Sequence, residues 1–102
     1  MGLDFTTIKD HAGSAIYLIH DGTENGKLTF ESLAEDLKTR SKKQIIILSS
    51  DEENGKEIIE FYQLRGNQFV LIVRDDDQLH HVWSDGERFD ASQIAYTAEQ
   101  AG

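Results

Sequence analysis

Three short apolar runs constrain the fold more than any other feature of this chain: Ala15-Ile16-Tyr17-Leu18-Ile19, Ile45-Ile46-Ile47-Leu48 and Phe69-Val70-Leu71-Ile72-Val73. Each is rich in β-branched residues, and each is continuous rather than alternating. A strand with one face in water alternates apolar and polar residues, so a continuous run reads as a central strand covered by helices on both faces. A fourth candidate, Gln78 to Trp83, follows the third run after the polar stretch Arg74–Asp77. That is the length of a hairpin connection, which predicts an antiparallel third and fourth strand.

The segments between the runs carry helical spacing. Phe30, Leu33, Ala34 and Leu37 recur every three or four residues, with Glu31, Glu35, Asp36 and Lys38 on the other side. This predicts an amphipathic helix of about three turns. Between the second and third runs, Ser50 and Glu53 form a candidate capping box, Ile58, Ile59, Phe61 and Tyr62 supply an apolar face, and Gly66 stands where a C-terminal cap belongs. After the fourth strand, Asp90 and Gln93 cap a last helix that turns Ile94 and Ala95 inward. The predicted order is β-α-β-α-β-β-α, preceded by a short element around Phe5–Asp10. A helical crossover makes the first two strands parallel and the connection right-handed. With no proline, low-complexity tract or Ser/Gly linker, residues 1–102 read as one domain. The triplet Asn-Gly-Lys occurs at Asn25–Lys27 and Asn54–Lys56, but with unmatched flanks it reads as no internal repeat.

Charge narrows the choice of partner. Nineteen acidic residues against ten basic give a net charge of −9, which repels nucleic-acid phosphates and anionic lipid. Neither nucleic acid nor membrane is an expected partner. No apolar run approaches the roughly 18–20 residues that span a bilayer, and the first residues lack a basic segment followed by a hydrophobic one, so a cytoplasmic location is expected. A chain of 102 residues can bury about two thirds of its unfolded surface without staples, so no disulfide, metal or cofactor is expected.

The element order, together with the stretches Ile45–Glu53 and Phe61–Val73, resembles the thioredoxin superfamily from its second strand onward. The resemblance implies a thioredoxin-like, three-layer α/β/α fold with a mixed four- or five-stranded central sheet. It places His20–Lys27 where that family has its W-C-G-P-C turn, with Glu24 and Lys27 at the two cysteine positions and Gln68 at the cis-proline. Thiol–disulfide chemistry needs one thiolate to attack and a second thiol to resolve the mixed intermediate. This sequence has no cysteine, which implies a redox-inactive member. A cis bond at a residue other than proline costs about 2.5–4 kcal/mol, so a trans bond is expected at Gln68. In the family, the loop Ser84-Asp85-Gly86 beside Trp83 approaches the same turn.

Other chemistry is weaker. Gly22–Leu28 is one residue short of a phosphate-binding loop, and Leu28 stands in place of its hydroxyl residue, so it reads as a glycine-rich turn. His80 and His81 are strand neighbours facing opposite ways, poorly placed to share a metal. The runs Asp51-Glu52-Glu53 and Asp75-Asp76-Asp77 read as water-exposed helix-start and hairpin carboxylates, and the second lacks the glycine and distal glutamate of a calcium loop. Ser49-Ser50 lacks a nucleophile elbow. The leading expectation is therefore a redox-inactive module that binds a protein or peptide through His20, Glu24, Asn25, Lys27, Asn67, Gln68 and Trp83. Two alternatives stand beside it. One is a non-redox enzyme using polar-turn carboxylates such as Asp21 and Glu24, or histidine. The other is a homo-oligomeric structural protein, at its simplest a homodimer, burying an edge strand or helix face between copies.

Overall fold

The computed structural model describes residues 14–74, 78–84 and 88–101. Seven elements follow in the predicted order: β1 (Ala15–His20), α1 (Glu24–Arg40), β2 (Gln44–Ser49), α2 (Glu53–Phe61), β3 (Phe69–Val73), β4 (Leu79–Ser84) and α3 (Ala91–Gln100). Among the described residues the sheet runs β2-β1-β3-β4. β1 pairs parallel with β2 and antiparallel with β3, and β3 pairs antiparallel with β4. This is the thioredoxin-like α/β arrangement that the sequence implies. The proposed element at Phe5–Asp10, the Asp75–Asp77 run and the Asp85-Gly86 loop lie outside the described residues.

Because side chains alternate along a strand, each inner strand divides its residues between two cores. Ile16 and Leu18 of β1, Val70 and Ile72 of β3 and Trp83 of β4 pack with Phe30, Leu33, Ala34 and Leu37 of α1 and with Ala91, Ile94, Ala95 and Ala98 of α3. Ala15, Tyr17 and Ile19, then Phe69, Leu71 and Val73, pack on the other face with Leu48 of β2 and Ile58 of α2. Fully burying a side chain such as Phe30 or Leu37 contributes about 1.5–3 kcal/mol. No helix among the described residues is long and apolar enough to cross a membrane.

Four local expectations are corrected. The first helix has 17 residues rather than three turns, because Thr23 caps it ahead of its apolar stripe: the Thr23 hydroxyl accepts from Gly26 N–H at 3.0 Å. The Ser50–Glu53 capping box does not form. Glu52 is the N-cap of α2 and makes no side-chain cap bond, because its carboxylate accepts instead from Ser49 N–H at 2.5 Å. Coverage on both faces holds for β1 and β3 but not for β2, whose residues are mostly half-buried, with Ile47 37% exposed. β2 is the outermost described strand on its side of the sheet. Asp90 does cap α3, accepting from Ser92 N–H at 2.9 Å.

Gly66 is not the C-terminal cap of α2. The helix ends at Phe61, and Gln63 takes the left-handed conformation with φ of 55°, while Leu64 N–H donates back to the Ile59 carbonyl at 2.9 Å. That reversal is usually made by glycine. Holding an L-residue left-handed costs about 1–2 kcal/mol, and glycine costs roughly 0.5–1 kcal/mol in chain entropy. Gln63→Gly is therefore expected to raise stability by about 0.5–1 kcal/mol in urea unfolding. A loss of stability would show that the glutamine side chain contributes more than its backbone strain costs.

Candidate functional site

Two parallel strands, each followed by a helix, bring both helix starts to the same end of the sheet. His20 closes β1 and Ser49 closes β2, and the two are register partners. Four residues beyond each begins the same tetrapeptide: Glu24-Asn25-Gly26-Lys27 opens α1, and Glu53-Asn54-Gly55-Lys56 opens α2. The repeated triplet thus has a matching glutamate ahead of it and equivalent places in the fold. Its glycine is the reason for the match. A Cβ on Gly55 would lie 1.9 Å from the Ser49 carbonyl oxygen, and one on Gly26 would lie 2.4 Å from Asp21 Oδ1, 3.0 Å from Gln68 Oε1 and 3.1 Å from Thr23 Oγ1. The first turn of each helix sits directly on the turn or strand end beside it. Spacing from the end of each apolar run was the signal that could have found this.

The turn after β1 is held by its own side chains. Asp21 Oδ1 accepts from the Thr23 hydroxyl at 2.6 Å and from Thr23 N–H at 3.0 Å. These two bonds, the hydroxyl first, hold the Asp21 carboxyl below its ordinary value of 3.8. His20 is only 7% exposed; its Nδ1 accepts from Gly22 N–H at 3.1 Å, and its carbonyl accepts from Ser50 N–H at 2.8 Å. In this arrangement Nδ1 is an acceptor, which leaves Nε2 as the donor of the neutral ring. After β2, the Ser49 hydroxyl donates to Asp51, and the Asp51 carboxylate lies against Gly22, where a Cβ would meet Oδ2 at 2.7 Å. Gly22 has φ of 86°, so it provides both the turn and the space.

The sequence-derived residues divide accordingly. Glu24, Asn25 and Lys27 are exposed on the first turn of α1, directly after His20 and its turn. Gln68 reaches this corner from the start of β3, as its approach to Gly26 shows, and Asn67 precedes it, exposed. The bond at Gln68 is trans, as expected. Gln68 Oε1 is buried and meets no hydrogen-bond donor among the described residues. Trp83 does not join the group. It is 3% exposed within the core beneath α1 and α3, its ring 4.4 Å from that of His81, so its indole packs inward and offers no binding surface. Sequence reasoning passed over Leu28 except as a missing hydroxyl; it is 55% exposed one residue after Lys27.

The remaining chemistry is sparse. His81 is exposed and His80 half-buried, at a register shift where Ile72 pairs with His81 but Val73 pairs with Leu79. Among the described residues no group of three His, Asp or Glu side chains could hold a metal ion. Asp21 is occupied as a turn and cap ligand rather than paired with Glu24.

No protein-family model and no curated protein matches the chain. Its fold does match that of a provisionally assigned disulphide-isomerase from Bacteroides thetaiotaomicron, whose solution structure aligns with a TM-score of 0.61 at 11% identity, over 99% of this chain and 89% of the other. The thioredoxin-like fold is therefore shared, while the 102 residues contain no cysteine with which to perform disulphide chemistry.

Two measurements test the geometry. Gly26→Ala replaces a poor helix former by the best one, a gain of about 1 kcal/mol, but forces a methyl group into the Asp21–Gln68 corner, where overpacking costs about 1–3 kcal/mol. A net loss of up to about 2 kcal/mol in chemical denaturation is expected, and a gain would mean the corner relaxes freely. For Asp21, the folded value lies below the unfolded one, so its bonds to Thr23 add stability above about pH 4 that is lost as pH falls through the folded value. The stability difference between the wild type and Asp21→Asn should be largest near neutral pH and vanish at the acid end. An Asp21 carboxyl titrating at or above 3.8 by NMR would contradict this account.

Proposed function

We propose that the chain is a redox-inactive thioredoxin-like module that binds an unfolded or extended segment of a partner protein at the corner formed by the β1–α1 turn and the start of β3. One observation carries the reading. The thioredoxin-like fold is present without cysteine, and the two positions that the sequence resemblance aligns with the thiol pair hold exposed charged residues, Glu24 and Lys27, near a buried acceptor, Gln68 Oε1, that has no donor among the described residues. That oxygen has no exposed surface, so the corner would have to open for a backbone N–H of an incoming segment to satisfy it; leaving a buried acceptor unsatisfied costs on the order of 1–3 kcal/mol, which such a bond would offset. The opposite charges of Glu24 and Lys27 would set the orientation of the segment, and exposed Leu28 offers the apolar contact that such interfaces need near their centre.

The test is an amide NMR titration with a pool of unfolded peptides. Shifts should cluster at His20–Leu28 and Asn67–Gln68, and the double charge reversal Glu24→Lys with Lys27→Glu should weaken binding about tenfold, roughly 1.4 kcal/mol, to peptides selected on the wild type. Unchanged affinity in the double variant would remove this corner as the binding surface.

A further inference from the structure

The acidic character of the chain is broken at one place. Lys38, Arg40, Lys42 and Lys43 fall within six consecutive residues, which leaves only six basic residues against nineteen acidic ones for the rest of the sequence. The stretch covers the last turn of α1 and the connection to β2, at the opposite end of the sheet from His20 and Ser49. Its backbone is pinned: Ser41 N–H donates to the Leu37 carbonyl at 2.9 Å, Lys43 N–H to the Ser41 hydroxyl at 3.1 Å, and the Thr39 hydroxyl to the Asp36 carbonyl at 2.7 Å. Lys38, Thr39, Arg40, Ser41 and Lys42 line an open groove of about 280 Å³, with Glu99 of α3 on its other wall.

Two of the four cations are explained by the helix itself. Lys38 lies 3.8 Å from Glu35, Arg40 donates to Asp36 at 3.0 Å, and both complement the negative end of the helix dipole. Lys42 and Lys43 lie beyond the helix and make no ion pair among the described residues. Keeping the apolar strand β2 soluble does not explain their sign, because Asp51, Glu52 and Glu53 serve that purpose after the same strand with the opposite charge. What remains is a preformed basic groove. Its surroundings limit the occupant: Glu35 and Asp36 on α1, and Glu99 on the far wall of the groove, would repel any polyanion long enough to reach beyond the Lys42 side. A nucleic acid or a broad anionic surface is disfavoured on that ground, whereas a short stretch of carboxylates fits.

We infer that this groove is a second docking surface, which takes a short acidic segment of a partner protein, with its carboxylates on Lys42 in the groove and on Lys43 next to it in the chain. The test is an amide NMR titration of the whole chain with hexaglutamate at low ionic strength. Shifts are expected at Lys38–Lys43 and Glu99, separate from any at His20–Leu28. Lys42→Glu with Lys43→Glu should weaken binding at least tenfold, and Lys42→Arg with Lys43→Arg should retain it, with both spectra otherwise remaining those of the folded chain. The inference is overturned if the groove amides do not move, if their shifts survive charge reversal, or if inorganic phosphate at the same concentration moves them equally. It is also overturned if vesicles containing phosphatidylserine bind the groove while hexaglutamate does not.

Discussion

The contact on which the rest of this molecule depends is the seating of a helix's first turn against the carboxyl end of a strand, made twice. At Gly55 the α2 backbone comes so near the Ser49 carbonyl that no side chain would fit, and at Gly26 the α1 backbone shares its corner with Asp21, Thr23 and Gln68. Those seatings fix how far along the sheet each helix begins. From there the apolar positions of α1 fall over Ile16 and Leu18, while Ile58 of α2 falls over the residues facing the other way. A side chain at Gly55 would push α2 off the strand backbone and open one of the two cores, whereas one at Gly26 would press on the Asp21, Thr23 and Gln68 side chains.

The same seatings explain why the polar turns carry so many carboxylates without forming an acid–base site. Asp21 holds Thr23, Glu52 takes up Ser49 N–H, and Asp51 accepts from the Ser49 hydroxyl beside Gly22. A helix N-terminus favours negative charge, and these acids supply it locally. Their oxygens are therefore committed to the backbone and to hydroxyl groups. Charge left for outside contacts comes from residues one step further along, Glu24 and Lys27, and the functional proposal rests on these.

How much of this was legible in the sequence depended on whether the determining partner was near in the chain. β1 and β3 were readable because five consecutive apolar residues cannot face water on either side, and the β3–β4 hairpin because the connection is short. The length of α1 was missed because its cap, Thr23, stands ahead of its apolar stripe. Ser50 was misread as a cap because nothing local reveals that Glu52 will be drawn back to Ser49. Gly66 drew attention away from Gln63 because glycine is the usual left-handed residue. At the site, the gathering of His20, Glu24, Asn25, Lys27 and Gln68 at one corner, with no role assigned to them, was legible by alignment with a familiar scaffold. Trp83 was not: whether an aromatic at a strand end faces a core or a partner depends on α1 and α3, which are distant in sequence.

The pairing of β1 has a consequence for the order in which the chain can assemble. Its two neighbours, β2 and β3, are both made later, and β3 begins at Phe69, long after β1 ends at His20. During synthesis Ala15–Ile19 must wait, apolar on both faces, until the strands on either side exist. Closing such distant pairs carries loop entropy that local helices do not, so sheet closure is expected to lag behind helix formation. α1 can form early from local contacts and lay Phe30, Leu33 and Leu37 over one face of the waiting strand. The helix that presents the proposed binding corner would thus also serve as the cover under which the central strand stays soluble until its partners arrive.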